Sequence, residues 1–415
     1  MTGPTAGAAV PSYADQPGAL PAAGLRRVVL VLSTVQIVSW GVLYYAFAAL
    51  QSSISADTGW SAVAVTGAFS TAQLVSGGVG LWVGRHLDAV GPRRVMTAAS
   101  LVAVPGIATV ALAPTLEVFY LGWALTGAAM AGSLYPPAFA ALTRWGGSRR
   151  VRALTTLTLV AGLASTVFAP LAAVLDDALG WRQAYLVLLA GLALVTVPLH
   201  WWGLDHPWRP AHHVHSPDGW HDGATVARSA PFVLLAAANA LTALAVFAVV
   251  VNLVPMLVEQ GMSRNLAALA LGMGGVGQVA GRLGYARFAS ATSVTARGVI
   301  VLVGVAMATA ALALAPASSG LLVAIGMALG LARGIYTLVQ ATAVTDRWGP
   351  AAYGTLNGIL TAPALAAAAA APFAGAVLAD VLGSWADAFL ALAGIAALAA
   401  LLMAYAAPRP RPVRD

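Results

Sequence analysis

The chain alternates between long apolar runs and short polar turns. A helix needs about 20 apolar residues to cross the hydrocarbon core of a bilayer. Twelve runs meet that requirement, at roughly 28–50, 61–83, 95–113, 118–141, 153–175, 184–203, 231–256, 265–286, 298–316, 320–343, 354–379 and 387–406. Most turns between them are short and carry Gly, Pro, Asp or Ser. One connection, Gly203 to Arg228, is longer and polar. It follows the sixth run, so the spacing predicts an all-α membrane protein with twelve transmembrane helices in two six-helix halves. The expected units are a disordered tail over 1–25, a first half over 26–203, a linker over 204–228, a second half over 229–407 and a short tail over 408–415.

Composition agrees with the pattern. Of 415 residues, 60% are hydrophobic and 8% charged, whereas a soluble domain carries about a quarter charged residues. With so few charges the chain could not cover a water-facing surface of its size, but lipid suits it. Cysteine is absent, which excludes disulfides and thiol chemistry. The net charge of +7 comes from arginine alone, since there is no lysine. A basic balance can signal nucleic-acid binding, but these arginines sit at the ends of apolar runs, which reads as membrane orientation. With the N-terminus inside, only Arg182 and Arg264 face outside, and Arg282 and Arg333 remain within spans. Both termini are therefore expected on the cytoplasmic side of a multi-pass cell-membrane protein, with no nucleic-acid partner.

One turn stands out, Gly84-Arg-His-Leu-Asp88-Ala-Val-Gly91-Pro-Arg93-Arg94, between runs two and three. Gly91 permits an unusual backbone angle, and Asp88 can cap a helix or pair with an arginine. A charged turn obeying the positive-inside rule is the plain reading. The pattern Gly-x3-Asp-x2-Gly-x-Arg-Arg after the second of twelve helices also resembles the signature loop of the major facilitator superfamily. The resemblance runs from Arg26 to Ala407. It implies that Asp88 stabilises one end state of a transport cycle, within a conformational-switch loop formed with Gly84, Gly91, Arg93 and Arg94. The basic residue that usually follows the Asp is Ala89 here, and the equivalent turn in the second half, Gly281 to Arg297, has no Asp.

A narrower resemblance, to the monocarboxylate-porter and oxalate/formate-exchanger branch, is carried by Asn252-Leu-Val-Pro-Met-Leu-Val-Glu-Gln-Gly261 and by Leu271 to Arg282. It implies that Arg282 binds a substrate carboxylate, with Gln278 four residues earlier on the same helix face. A guanidinium fits a carboxylate in bidentate fashion. Equally, Arg282 lies near a span end and could snorkel to the headgroups. Arg333 lies near mid-span, where snorkelling is difficult, and Tyr336 and Gln340 extend its face. It is read as a functional cation or as a structural one bonded to backbone carbonyls. In run one, Trp40, Tyr44 and Tyr45 either line a cavity or pack helices.

No Asp or Glu lies deep in any span, so a coupling proton would have to travel on the substrate, or the protein would exchange anions. His206, His212, His213, His215 and His221 crowd the linker, but without cysteine or helical spacing they read as a solvated loop rather than a metal site. The expectation is a monomeric secondary transporter of a small organic anion, most simply a monocarboxylate. Its binding residues would be Arg282, Arg333, Gln278, Tyr44, Tyr45 and Tyr336, with no catalytic residue, metal or cofactor. Export of drugs or other amphipathic compounds is the alternative.

Overall fold

A computed structural model describes residues 19–208, 223–316, 318–350 and 352–406. All secondary structure among them is helical. Each expected run is found as a helix or a broken helix. α1 is Ala22–Trp40, continued through a π-helical turn, Gly41–Tyr45, into Ala46–Thr58; α2 is Ala62–Val90 and α3 Pro92–Leu112. α4 is Leu116–Ser133 followed by Tyr135–Gly146, α5 is Arg150–Ala161 followed by Ala164–Leu179, and α6 is Trp181–Gly203. The second half repeats the series with α7 (Ala230–Glu259), α8 (Arg264–Ala291), α9 (Val294–Leu314), α10 (Ser319–Thr342), α11 (Tyr353–Leu382) and α12 (Trp385–Tyr405).

Nine stretches among the described residues are long and apolar enough to cross a membrane, and the 64-residue stretch Leu116–Leu179 contains both α4 and α5. α2 and α8 are long enough, at 29 and 28 residues. Their glycines and small polar residues lower their hydropathy. Large apolar side chains point outward, among them Leu30, Leu194, Phe373 and Val381, as expected where lipid is the solvent.

Local chemistry sets the helix starts. Ser61, Ser263, Ser293 and Ser384 each accept a hydrogen bond from the backbone N–H three residues on, the N-cap arrangement. α1 begins at Ala22, before the expected boundary at 26. Its approach is held because the Leu20 N–H donates to the Trp145 carbonyl at 2.9 Å and Arg149 donates to the Leu20 carbonyl at 2.7 Å. The expected tail over 1–25 is thus ordered from Leu20 onward, while residues 1–18, the C-terminal tail and four of the five linker histidines lie outside the described residues.

Packing differs between the two ends of the bundle. At the end bearing the arginine-rich turns, one apolar core draws on both halves, with Val35, Leu87, Leu142 and Leu157 joined by Phe232, Leu338, Tyr353 and Leu356. At the opposite end each half keeps its own core, Val42 to Leu192 in the first and Ala245 to Ala396 in the second. The halves are packed together at the arginine-rich end and independent at the other.

Candidate functional site

The mid-membrane site starts from two interruptions of helix. In α4, Pro136 and Pro137 have no N–H to donate to carbonyls four residues earlier, and proline fits only the first turn of a helix, so the helix stops and restarts at Tyr135. Leu134 is accordingly extended (φ −85°, ψ −158°). The freed carbonyl of Ser133 accepts from the buried Gln36 side chain of α1 at 2.7 Å. In α1, the Ala46 N–H bonds to the Gly41 carbonyl five residues back, a π turn of the kind that recurs at functional sites. Gly41 is needed there because the Phe168 ring of α5 lies against its Cα.

These interruptions bring aromatic rings together. Trp40 lies 5.3 Å from Tyr44, 6.3 Å from Tyr45 and 4.9 Å from Tyr135, between ring centroids. Trp40 Nε1 is buried and has no hydrogen-bond partner among the described residues. The second half supplies charge opposite this aromatic wall. Tyr45 is within electrostatic reach of both Arg282 and Arg333, Tyr44 of Arg333, and Tyr135 of Arg282. The Arg333 guanidinium is half-buried and forms no hydrogen bond or ion pair with any described residue. Arg282 is 5% exposed; it donates from Nη1 to the Thr158 carbonyl of α5 at 2.7 Å, beside the break at Gly162, while its Nε is unpartnered among the described residues. It therefore does not snorkel.

Two expected site residues stand apart. The Tyr336 hydroxyl donates to Asn239 of α7, and Asn239 donates to the Leu360 carbonyl of α11 at 3.2 Å, so Tyr336 is tied within its own half. The Gln278 side chain is half-buried, and its backbone carbonyl lies against Gly334 of α10. There Gly277 and Gly281 of α8 meet the backbone of α10, as Gly330 and Gly334 of α10 meet that of α8; none of the four could carry a Cβ without overlap, the close approach that small residues allow in membranes.

The turn from Gly84 to Arg94 lies at the arginine-rich end. Asp88 is 8% exposed, and its two carboxylate oxygens accept from the N–H groups of Gly354 at 2.9 Å and Thr355 at 2.7 Å. These are unpaired donors in the first turn of α11, where the helix dipole favours an anion. Asp88 thus caps a helix of the other half. Gly84 packs on the Gly354 backbone, and Gly80 and Gly77 continue the contact along α11 at Gly358 and Ala362. Gly91, at φ +84°, leaves room for Trp208, whose Nε1 donates to the Asp88 carbonyl at 3.1 Å. The Arg144 guanidinium stacks 4.4 Å above the Trp208 ring. Arg93 pairs with Asp205 at 2.6 Å, whereas Arg94 is exposed.

A second link was not anticipated. Asp346, just after α10, bridges Arg150 of α5 and Arg297 of α9, both at 2.7 Å, with all three side chains largely buried. The second-half turn lacks an Asp, yet its Arg297 finds one from the connection between α10 and α11. The adjacent Arg347 is also largely enclosed, and burial lowers its guanidinium to about 10. Among the described residues no group of three or more acidic or histidine side chains could hold a metal.

A lipid-facing bundle, helical throughout its described residues, whose halves meet at one end and enclose a central aromatic and cationic cluster, has the architecture of a membrane transporter. The Major Facilitator Superfamily model matches residues 32–320 and 235–415, and the chain belongs to that family of transporters. A comparison with curated proteins finds no match. Among solved structures, the chain is similar to the human organic anion transporter MFSD10 (TETRAN), at TM-score 0.72 and 16% identity, covering 92% of this chain and 100% of that one. FucP in the outward conformation gives TM-score 0.73 at 15% identity, with 92% and 99% covered. A variant of the E. coli fucose:proton symporter FucP gives 0.64 at 14%, with 93% and 97% covered. At these identities the likeness speaks to the fold.

Proposed function

We propose that the protein is a secondary transporter of a small organic anion, most simply a monocarboxylate, which it moves by alternating access between its two halves. One observation carries this reading. Arg333 places a cation in mid-membrane without a protein counterion among the described residues. An arginine at a helix centre costs about 2.5–3.5 kcal/mol on insertion scales, so the position favours a ligand of opposite sign. The second guanidinium, Arg282, and the hydroxyls of Tyr44 and Tyr45 are within electrostatic reach of Arg333 and would share that ligand, with Gln278 and Tyr336 as outlying contributors. The halves are 26–203 and 229–407, joined by the linker over 204–228. With the arginine-rich end cytoplasmic, as the positive-inside rule favours, the conformation described is closed to the cytoplasm. The aromatic wall of Trp40, Tyr44, Tyr45 and Tyr135 favours a second reading, export of amphipathic compounds.

The test is a thermal-shift screen of acetate, lactate, pyruvate and benzoate on wild type and on Arg333→Gln, followed by uptake of any stabilising acid into proteoliposomes. Ligands that bind the folded state raise its melting temperature by mass action. At least one acid should stabilise wild type, and Arg333→Gln should lose both the shift and at least nine-tenths of uptake. The reading fails if no carboxylate stabilises wild type or if the variant responds equally. Retained efflux of an amphipathic dye by Arg333→Gln would select the second reading.

A further inference from the structure

A cavity of about 420 Å³ lies away from the central cluster, between the start of α1 and the start of α5 at the arginine-rich end. Arg26, Arg149 and Arg152 line it together with Leu25, Val29 and Leu30. Its residues fall on one face of each helix. Arg26, Val29 and Leu30 follow the three-and-four spacing that aligns side chains on a helix, and Arg152 continues the α5 side. Cations therefore crowd the end near the helix starts, and aliphatic side chains continue from them along α1.

Among the described residues this cluster is uncompensated. No acidic residue lines the cavity. The nearby carboxylates of this end are engaged elsewhere: Asp205 with Arg93, Asp346 with Arg150 and Arg297, and Asp88 with the α11 backbone. Arg149 uses one nitrogen to hold the Leu20 carbonyl. Arg26 and Arg152 make no side-chain hydrogen bond or ion pair with any described residue. The cavity also lies near headgroup depth. Arg27, next to Arg26, donates to the Trp202 carbonyl, and Trp201 and Trp202 are exposed there, as in the aromatic belts of membrane interfaces. Leu30 is 69% exposed, so the aliphatic end opens toward lipid.

We propose that this cavity is a binding site for one anionic phospholipid, with the headgroup phosphate on Arg26, Arg149 and Arg152 and an acyl chain running out over Val29 and Leu30. Basic pockets between membrane helices on the cytoplasmic side suit anionic headgroups, and guanidinium groups suit phosphate. A zwitterionic lipid would bring its own cation into a site that already holds three. A free phosphate would leave the aliphatic end unfilled. The site adjoins Arg150, so an occupied cavity would add negative charge beside the Arg150–Asp346 link without replacing it.

Native mass spectrometry of the purified chain in detergent tests this, with phosphatidylglycerol, phosphatidylcholine and inorganic phosphate titrated separately. Wild type should retain one phosphatidylglycerol and neither of the others. Arg26→Gln combined with Arg152→Gln should retain it at least tenfold less, and Leu30→Asp, which spares the arginines, should weaken it as well. Both sets alter exposed side chains, so folding is expected to persist. Equal retention of phosphatidylcholine, displacement by equimolar inorganic phosphate, or unchanged retention in both variants would overturn the proposal.

Discussion

Replacing Asp88 by Asn tests the closed end of the bundle directly. The side chain keeps its shape, but one oxygen becomes an NH2 that faces a backbone N–H of α11 instead of accepting from it. Two charge-assisted hydrogen bonds of 2.9 and 2.7 Å are reduced to one neutral bond. A hydrogen bond to a charged group is worth about 1.5–3 kcal/mol net, and the favourable interaction with the α11 dipole is lost too. Because Asn is cheaper than Asp to keep from water, the net loss from the closed state is set at about 2 kcal/mol. That moves the equilibrium between closed and open forms by roughly thirtyfold. The assay exploits the absence of cysteine: Leu356→Cys, in the shared core at 2% exposure, is the sole thiol. Its labelling by an impermeant maleimide, applied from the arginine-rich side, reports opening. Asp88→Asn should raise the labelling rate at least tenfold, up to the limit where the open form dominates. An unchanged rate would refute the claim that the carboxylate holds the halves together.

Other perturbations follow from the same geometry. Asp346→Asn leaves Arg150 and Arg297, at 12% and 8% side-chain exposure, with a neutral partner, and stability should fall by about 3 kcal/mol, read as a lower melting temperature in detergent. Gly330→Ala places a methyl against the Gly274 carbonyl and should cost about 3 kcal/mol. Gly320→Ala, with open space around it, should instead raise stability by roughly 0.5 kcal/mol; the two melting temperatures decide. Gln36→Leu strips the Ser133 carbonyl of its donor and should destabilise by about 1–3 kcal/mol, seen in the same thermal scan.

The fold was legible because span length is a strong constraint: backbone groups in lipid must be satisfied within helices, so each apolar run becomes a helix, whole or broken. The Gly84–Arg94 turn stood out by a single aspartate among arginines, but the partner of that aspartate did not. Asp88 bonds to backbone N–H groups of Gly354 and Thr355, which leave no side-chain signature. Tyr135 was missed although Leu134-Tyr-Pro-Pro137 marks a break in a span; a proline pair tells where helix stops, not which ring then turns inward. Asp346 was hidden because its partners lie 196 and 49 residues away. Helical spacing placed Tyr336 on the face of Arg333, whereas Asn239 claims its hydroxyl from another helix.

The glycines of α2 give the meeting of the two halves a mechanical character. Where Gly77, Gly80 and Gly84 run against α11, there are few interlocking side chains to disengage, and so little rotamer friction when one half rolls over the other. In the proposed cycle that seam would act as a bearing, with resistance to movement concentrated in the polar catches at its end, Asp88 on the α11 backbone and Asp346 on two arginines. Tuning the speed of the cycle would then require changing those catches, while roughening the bearing with larger side chains would jam it.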